Sequence, residues 1–174
     1  FDLVARLLAS LGHTTVGLED PGDRYIGPLV ERAGLEAVPL PLDVVASMPD
    51  RVVGEQELFA VTGAVHAAAA FDATGTVLLT REDIGRHNAV DKVVGRMLLD
   101  GTLPAAGLGL FVSGRASFEI VQKAWAAGIG AVVAVSAPSS LAVAAARLAG
   151  MTLCGFARGG RLNVYTPVEP FPVL

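Results

Sequence analysis

At 174 residues the chain fits one ordinary domain with room for an appendage, and is long enough to bury a real core. Hydrophobic content of 52% and a mean hydropathy of +0.56, carried mostly by Ala and Val, suit a tightly packed α/β interior and exclude a disordered chain. A net charge of −4 argues against generic nucleic-acid binding, and a single cysteine, Cys154, excludes both an intrachain disulfide and a cysteine-based structural zinc site.

FDLVARLLASLG, residues 1–12, predicts a helix with Leu3, Leu7, Leu8 and Leu11 on one face and its end near Gly12. No basic stretch followed by an apolar run and a cleavage site opens the chain, so no signal peptide is expected and a reducing cytoplasm is the simplest compartment. HTTVGLED is a strand candidate, RYIGPLVERAG a second helix and LEAVPLPLD a second extended piece. Residues 1–44 are thus expected to form a short α/β appendage. VVASMPDRVVGEQ then reads as a connector over residues 45–55, and a second module is expected from 56 to 174.

LFAVTGAVHAAAA is apolar and Ala-rich and is expected to carry His66 in a helix. Two β-like runs around Asp72-Ala73-Thr74-Gly75 signal a hairpin. REDIGRHNAVDKVVG, residues 81–95, crowds charge into a chain that is only 17% charged. Val90, Val93, Val94, Met97 and Leu98 form a helical stripe, so this is an amphipathic helix with a polar entrance. His87 and Asp91, four apart, share a face. Asp83, Gly85, Arg86 and Asn88 sit at or before the start, where unpaired amides bind anions, although plain capping uses the same residue types. AAGLGLFVSG is a buried strand, SFEIVQKAWAAG a helix capped by Ser117 with Glu119 in its first turn, GAVVAVS a strand and SSLAVAAARLAG a helix. MTLCGFARGGRLNVYT closes the pattern as two strands around Arg158-Gly159-Gly160-Arg161. No formal charge occurs from Ala124 to Ala146, but Gly128, Gly130, Ser136, Pro138, Ser139 and Ser140 break that stretch into strand, turn and helix, so no membrane span is expected.

Alternating helices and strands predict an α/β fold: a three-layer α/β/α sandwich around a mixed, mostly parallel sheet. Such sheets bind ligands beyond the carboxyl ends of their strands. Three polar loops are expected there: TREDIGRH, SGRAS and SAPSS, each leaving an apolar strand and entering a helix. Small residues in them allow close approach of backbone amides. Arg86, Arg115, Arg158 and Arg161 offer forked donors suited to phosphate oxygens.

FAVTGAVHAAAAFD, REDIGRHNAVDKVVG, SGRASFEIVQKA, VSAPSSLAV and GFARGGRLNVYT, in that order, resemble the C-terminal part of the formate dehydrogenase accessory sulfurtransferase family, FdhD, over residues 48–166. Ala64 departs from the family pattern, which has a second glycine after Gly63. The resemblance implies a cytidine-deaminase-like fold and, as function, transfer of sulfur from a cysteine desulfurase to the molybdenum or tungsten bis-(molybdopterin guanine dinucleotide) cofactor of formate dehydrogenase. Both proteins are then partners, GDP is a surrogate ligand, and a homodimer is implied. By matching position, Phe156, Ala157, Arg158, Gly159, Gly160 and Arg161 correspond to the family's cofactor-binding segment. Thr62, Gly63, His66, Arg86, His87, Asn88, Asp91, Ser113, Arg115, Ser117 and Ser136 lie in the surrounding motifs and are expected around the cofactor on the strength of their polarity.

Family members carry a Cys-x-x-Cys loop upstream of this region, and persulfide transfer requires a thiolate. That loop is not among these residues, so no catalytic residue is assigned, and the alternative to sulfur transfer is a module that only binds the cofactor. Cys154 sits in the apolar run MTLCGF and reads as buried packing rather than as a substitute carrier. Residues 1–44 resemble a fragment of the cofactor domain of fold-type I pyridoxal-phosphate aminotransferases of the kind attached to GntR-type regulators. Pyridoxal phosphate is nevertheless not expected, because Lys92 and Lys123, the only lysines, lie in the other module. A zinc deaminase needs two cysteine ligands beside a further His or Cys, which one cysteine cannot supply, so no metal is expected.

Overall fold

Helix α1 (Leu42–Val53) opens the described part of the chain; the computed structural model describes residues 40–166. The segment expected as a connector therefore forms most of a twelve-residue helix. Pro49 lies inside it, and an interior proline costs about 3 kcal/mol. Val45, Met48 and Val52, however, stand at i, i+3 and i+7 and are fully buried, each contributing about 1.5–3 kcal/mol. Burial outweighs the proline. The elements expected over residues 1–39 lie outside the described residues.

Helix α2 (Glu57–Thr62) follows and ends at Gly63, whose φ of +61° takes the chain out of helical geometry. Strand β1 (His66–Phe71) comes next, so His66 begins a strand, in contrast to the helix that the alanines suggested. Ala67 to Phe71 are buried on both faces, and the strand lies between two others in the sheet. Tertiary burial of a thin central strand overrides alanine's helix propensity here. β2 (Val77–Asp83) returns antiparallel through the Asp72 turn, and α3 (Arg86–Leu99), β3 (Gly109–Val112), α4 (Phe118–Ala126), β4 (Ala131–Ala134) and α5 (Ser140–Leu148) alternate as expected. The chain closes with β5 (Thr152–Arg158) and β6 (Arg161–Thr166), paired antiparallel.

Among the described residues the sheet has six strands in the order β2-β1-β3-β4-β5-β6. Only the β3–β4 and β4–β5 pairings are parallel, so the sheet is mixed but not mostly parallel. The reason is that hairpins close both flanks, and hairpins can only be antiparallel. Strand direction, more than pairing, decides where the loops gather: β2, β3, β4 and β5 run one way, β1 and β6 the other.

Both faces are covered. One carries α3, α4 and α5, which pack against one another side by side and bury Val90, Val93, Ile120, Val121 and Ala142. The other carries α1, whose Val45, Met48 and Val52 pack on Ala67, Ala69, Phe71, Phe111, Val133 and Cys154. The i, i+2 spacing of those strand residues is the signature of one sheet face. Arg51, near the end of α1, donates to the carbonyls of Thr74 and Gly75 at 3.3 and 2.8 Å, which ties this outer helix to the β1–β2 turn. No described helix is long and apolar enough to cross a membrane.

Candidate functional site

The shared direction of β2, β3, β4 and β5 brings their carboxyl ends to one edge of the sheet, where β1 and β6 begin. The polar loops expected to converge do converge there. One detail differs: Thr80, Arg81, Glu82 and Asp83 belong to β2 itself, so only Ile84 and Gly85 intervene before α3. Backbone pairing with β1 extends through His66 and Asp83, and carries the strand through residues whose polarity suggested a loop.

At this edge His66 meets Ser113, the residue after β3. Ser113 Oγ accepts the Ala67 amide at 2.9 Å and lies 3.4 Å from His66 Nδ1. Gly114 is buried against both neighbours: a Cβ there would come within 3.3 Å of Arg86 Cδ and 3.4 Å of His66 Cε1. The glycine thus lets the imidazole, the first residue of α3 and the β3–α4 loop approach closely. Arg86 Nε and Ser117 Oγ are buried without a hydrogen-bond partner among the described residues. Desolvated donors left open in this way are costly unless a further group meets them.

The rest of the α3 entrance is organised by Asp83. Its Oδ1 accepts from the Gly85 amide at 2.9 Å and from Asn88 Nδ2 at 3.0 Å, and its Oδ2 pairs with Lys92 Nζ at 2.6 Å. The Lys92 ammonium first, then these two donors, hold the Asp83 carboxyl down to about 2. Asn88, expected at the cofactor, donates to Asp83 at this entrance. Asp91 is likewise engaged, in a 2.7 Å ion pair with Lys123 that joins α3 to α4. His87 is held below the ordinary imidazole range by partial burial, then by Arg86 and Lys123, with Glu119 and Asp91 opposing. Glu119 is held below the usual carboxylate range chiefly by the nearby Ser117 hydroxyl, with its own backbone amide, His87 and Arg86 adding to the effect.

On the other side of the edge, Ser136 accepts the Phe156 amide on its carbonyl at 3.3 Å and donates its own amide to Gly114. Phe156 is about half exposed and has φ +53°, a conformation that only glycine adopts freely. Gly155 before it lies so close to Pro138, the Ser136 carbonyl and Tyr165 that a Cβ would come within 2.8–3.1 Å of them. Sequence reasoning singled out neither Gly155 nor Tyr165; a lone glycine inside a strand run was the only signal. Ala157 is buried against the α1 face and supplies packing. Arg158, Gly159, Gly160 and Arg161 form the exposed tip of the β5–β6 hairpin, with both glycines at positive φ. Its arm passes the last β4–β5 pairing at Cys154 by four residues, on the order of 10 Å. Arg115, Arg158 and Arg161 are exposed and pair with no described carboxylate.

Thr62 and Gly63 close α2, with Thr62 Oγ1 donating to the Leu58 carbonyl at 2.7 Å, and share no hydrogen bond with the His66 corner. Cys154 faces the α1 core, fully buried, and burial pushes its thiol up to about 12. A thiol in that state neither ionises near neutral pH nor meets a partner protein.

The residues at this edge suit an anionic, oxygen-rich group. Arg86, whose buried Nε has no partner among the described residues, lies against Gly114 beside His66, and an exposed aromatic ring precedes an arginine-tipped hairpin.

Comparison with known proteins gives a consistent result. The sequence model of the FdhD/NarQ family matches residues 19–171. The chain is 56% identical over 123 residues to a sulfur carrier protein FdhD of Streptomyces avermitilis, covering 71% of this chain and 44% of that one. It is 57% identical over 129 residues to one of Nocardia farcinica, covering 74% and 46%, and 49% identical over 127 residues to one of Sulfurisphaera tokodaii, covering 73% and 50%. The chain thus spans about half the length of the curated relatives it matches. A crystal structure of a protein provisionally assigned as a formate dehydrogenase accessory protein, from Desulfotalea psychrophila, aligns with a TM-score of 0.70 and 30% identity, over 81% of this chain and 60% of that one.

Proposed function

Because the chain belongs to the FdhD/NarQ family, we propose that it supplies the cofactor-cradling part of a sulfur carrier that matures formate dehydrogenase. Its ligand is a guanine-nucleotide form of the molybdenum or tungsten pterin cofactor, which receives sulfur originating from a cysteine desulfurase. The observation that carries this reading is the meeting, at one sheet edge, of the His66–Ser113–Gly114–Arg86 corner with strained Phe156 and the Arg158–Arg161 tip. The unpartnered donor at Arg86 suits a diphosphate oxygen, and the exposed ring of Phe156 suits a purine face. The bound cofactor supplies the metal and dithiolene chemistry; this chain's residues bind and orient it. The α/β/α layering supports a cytidine-deaminase-like frame.

Cys154 is not the transferring thiol in this reading, since its sulfur is buried and stays protonated. Its contribution is packing between β5 and α1.

The test is a calorimetric titration of the chain with GDP, beside an Arg158→Ala, Arg161→Ala double variant. Both arginines are exposed and unpaired with any described carboxylate, so their removal leaves folding essentially unchanged. Saturable binding weakened at least tenfold in the variant is the expected outcome, since each charge-assisted contact contributes about 1.5–3 kcal/mol. Equal affinity in both proteins, or none in a folded wild type, rejects the assignment.

A further inference from the structure

We infer that Ser113 is a positioning residue, which holds the neutral His66 ring with its proton on Nε2 so that the imidazole presents a donor beside Arg86. Ser113 Oγ has two partners among the described residues, the Ala67 amide at 2.9 Å and His66 Nδ1 at 3.4 Å. The amide can only donate. A serine hydroxyl carries one proton of its own, and His66 Nδ1 is the only partner able to accept it. With Nδ1 protonated instead, Ser113 Oγ would accept both donors on its two lone pairs, and its own proton would be left without an acceptor among the described residues. Among the described residues, every group in this trio finds a partner when Nδ1 is bare and the proton sits on Nε2.

Gly114 leaves open the space beside the Cε1–Nδ1 side of the imidazole, whose Cε1 and Nδ1 lie 3.4 and 3.5 Å from the position a Cβ would take. Nε2 bonds to no described residue. With Arg86 Nε–H, also unpartnered, the corner then offers donors without an acceptor. A group that only accepts, such as a diphosphate oxygen, satisfies such a corner, whereas an N–H edge of a base does not. The ligand part of this inference rests on the cofactor reading above; the tautomer does not.

Histidine-labelled full-length protein, recorded by long-range proton–nitrogen correlation at a pH where the ring is neutral, reads the tautomer directly. The three histidines are assigned with His66→Gln and His87→Gln variants. The expected result is an Nε2–H pattern for His66 in the wild type, a mixture of tautomers in Ser113→Ala, and the wild-type pattern restored in Ser113→Thr. GDP affinity should fall about fivefold in Ser113→Ala, one hydrogen bond's typical net worth, and recover in Ser113→Thr. An Nδ1–H pattern in the wild type overturns the inference without any variant having to fold. So does a His66 pattern indifferent to Ser113, or a GDP affinity indifferent to it. A wild type that shows the Ser113-dependent Nε2–H pattern but binds no GDP upholds the positioning role and overturns the cofactor reading instead.

Discussion

Asp83 shows how a single side chain can be misread from its type. A carboxylate three residues before a helix in a polar stretch fits a ligand site and a cap equally well; in the structure Gly85, Asn88 and Lys92 converge on it. Its folded pKa of about 2 lies below the ordinary value of 3.8, so the carboxylate form is favoured by folding. The stability this provides is fully present above pH 3.8 and is lost as pH falls toward 2. Asp83→Asn should therefore melt below the wild type at pH 7, and the gap should close between about pH 4 and pH 2. Thermal melts of both proteins across that range check it; a gap that persists at pH 2 would mean that packing, not charge, makes the difference. Residue roles were legible where a pattern had one physical solution. Arg158-Gly159-Gly160-Arg161 is such a case, because two glycines at positive φ between strands make a tight turn. For Asn88 and Asp91, polarity alone does not name the neighbours they bond within the fold, Asp83 and Lys123.

At the level of elements, the hydrophobic period of α3 and the apolar runs of β3, β4 and β5 could be read directly, since each buries one stripe or both faces. α1 and β1 could not. Their local signals, a mid-helix proline and a run of alanines, point away from the structures that burial imposes. The thinness of β1 has a counterpart across the β1–β3 pairing, where Phe71 faces Gly109 and its ring occupies the space a Cβ would need. Gly109→Ala should cost about 1–3 kcal/mol in urea unfolding, because the ring is fully buried and has nowhere to move. Gly109 begins β3, at the far end from Ser113, so the GDP affinity of the folded protein should not change. Loss of affinity in a folded Gly109→Ala protein would show that the β1–β3 register, not local side chains alone, sets the His66 corner.

For the whole molecule, the alternation of elements was enough to foresee a layered α/β/α sandwich with its polar loops gathered at one edge. Strand order was not foreseeable from alternation, because hairpins and crossovers leave similar local patterns and differ only in which strands come together. The outcome, four strands of one direction with β1 inserted antiparallel between β2 and β3 and β6 antiparallel at the far edge, places the starts of β1 and β6 among the ends of the rest. A ligand that binds there stabilises the folded chain by mass action, by about 2.7 kcal/mol at a hundred times its Kd. GDP should accordingly raise the melting temperature in proportion to the logarithm of its concentration. A melting point unmoved by GDP, in a protein that binds it by calorimetry, would show that the ligand binds the unfolded chain equally well.

His66 and Ser113 lie 47 residues apart in the chain, and the hairpin tip a further 45 beyond Ser113. No local segment can hold these groups together in advance, so the pocket cannot nucleate folding and must be among the last features to form. During synthesis, the growing chain has no competent site until β5 and β6 have emerged and closed the far side of the sheet.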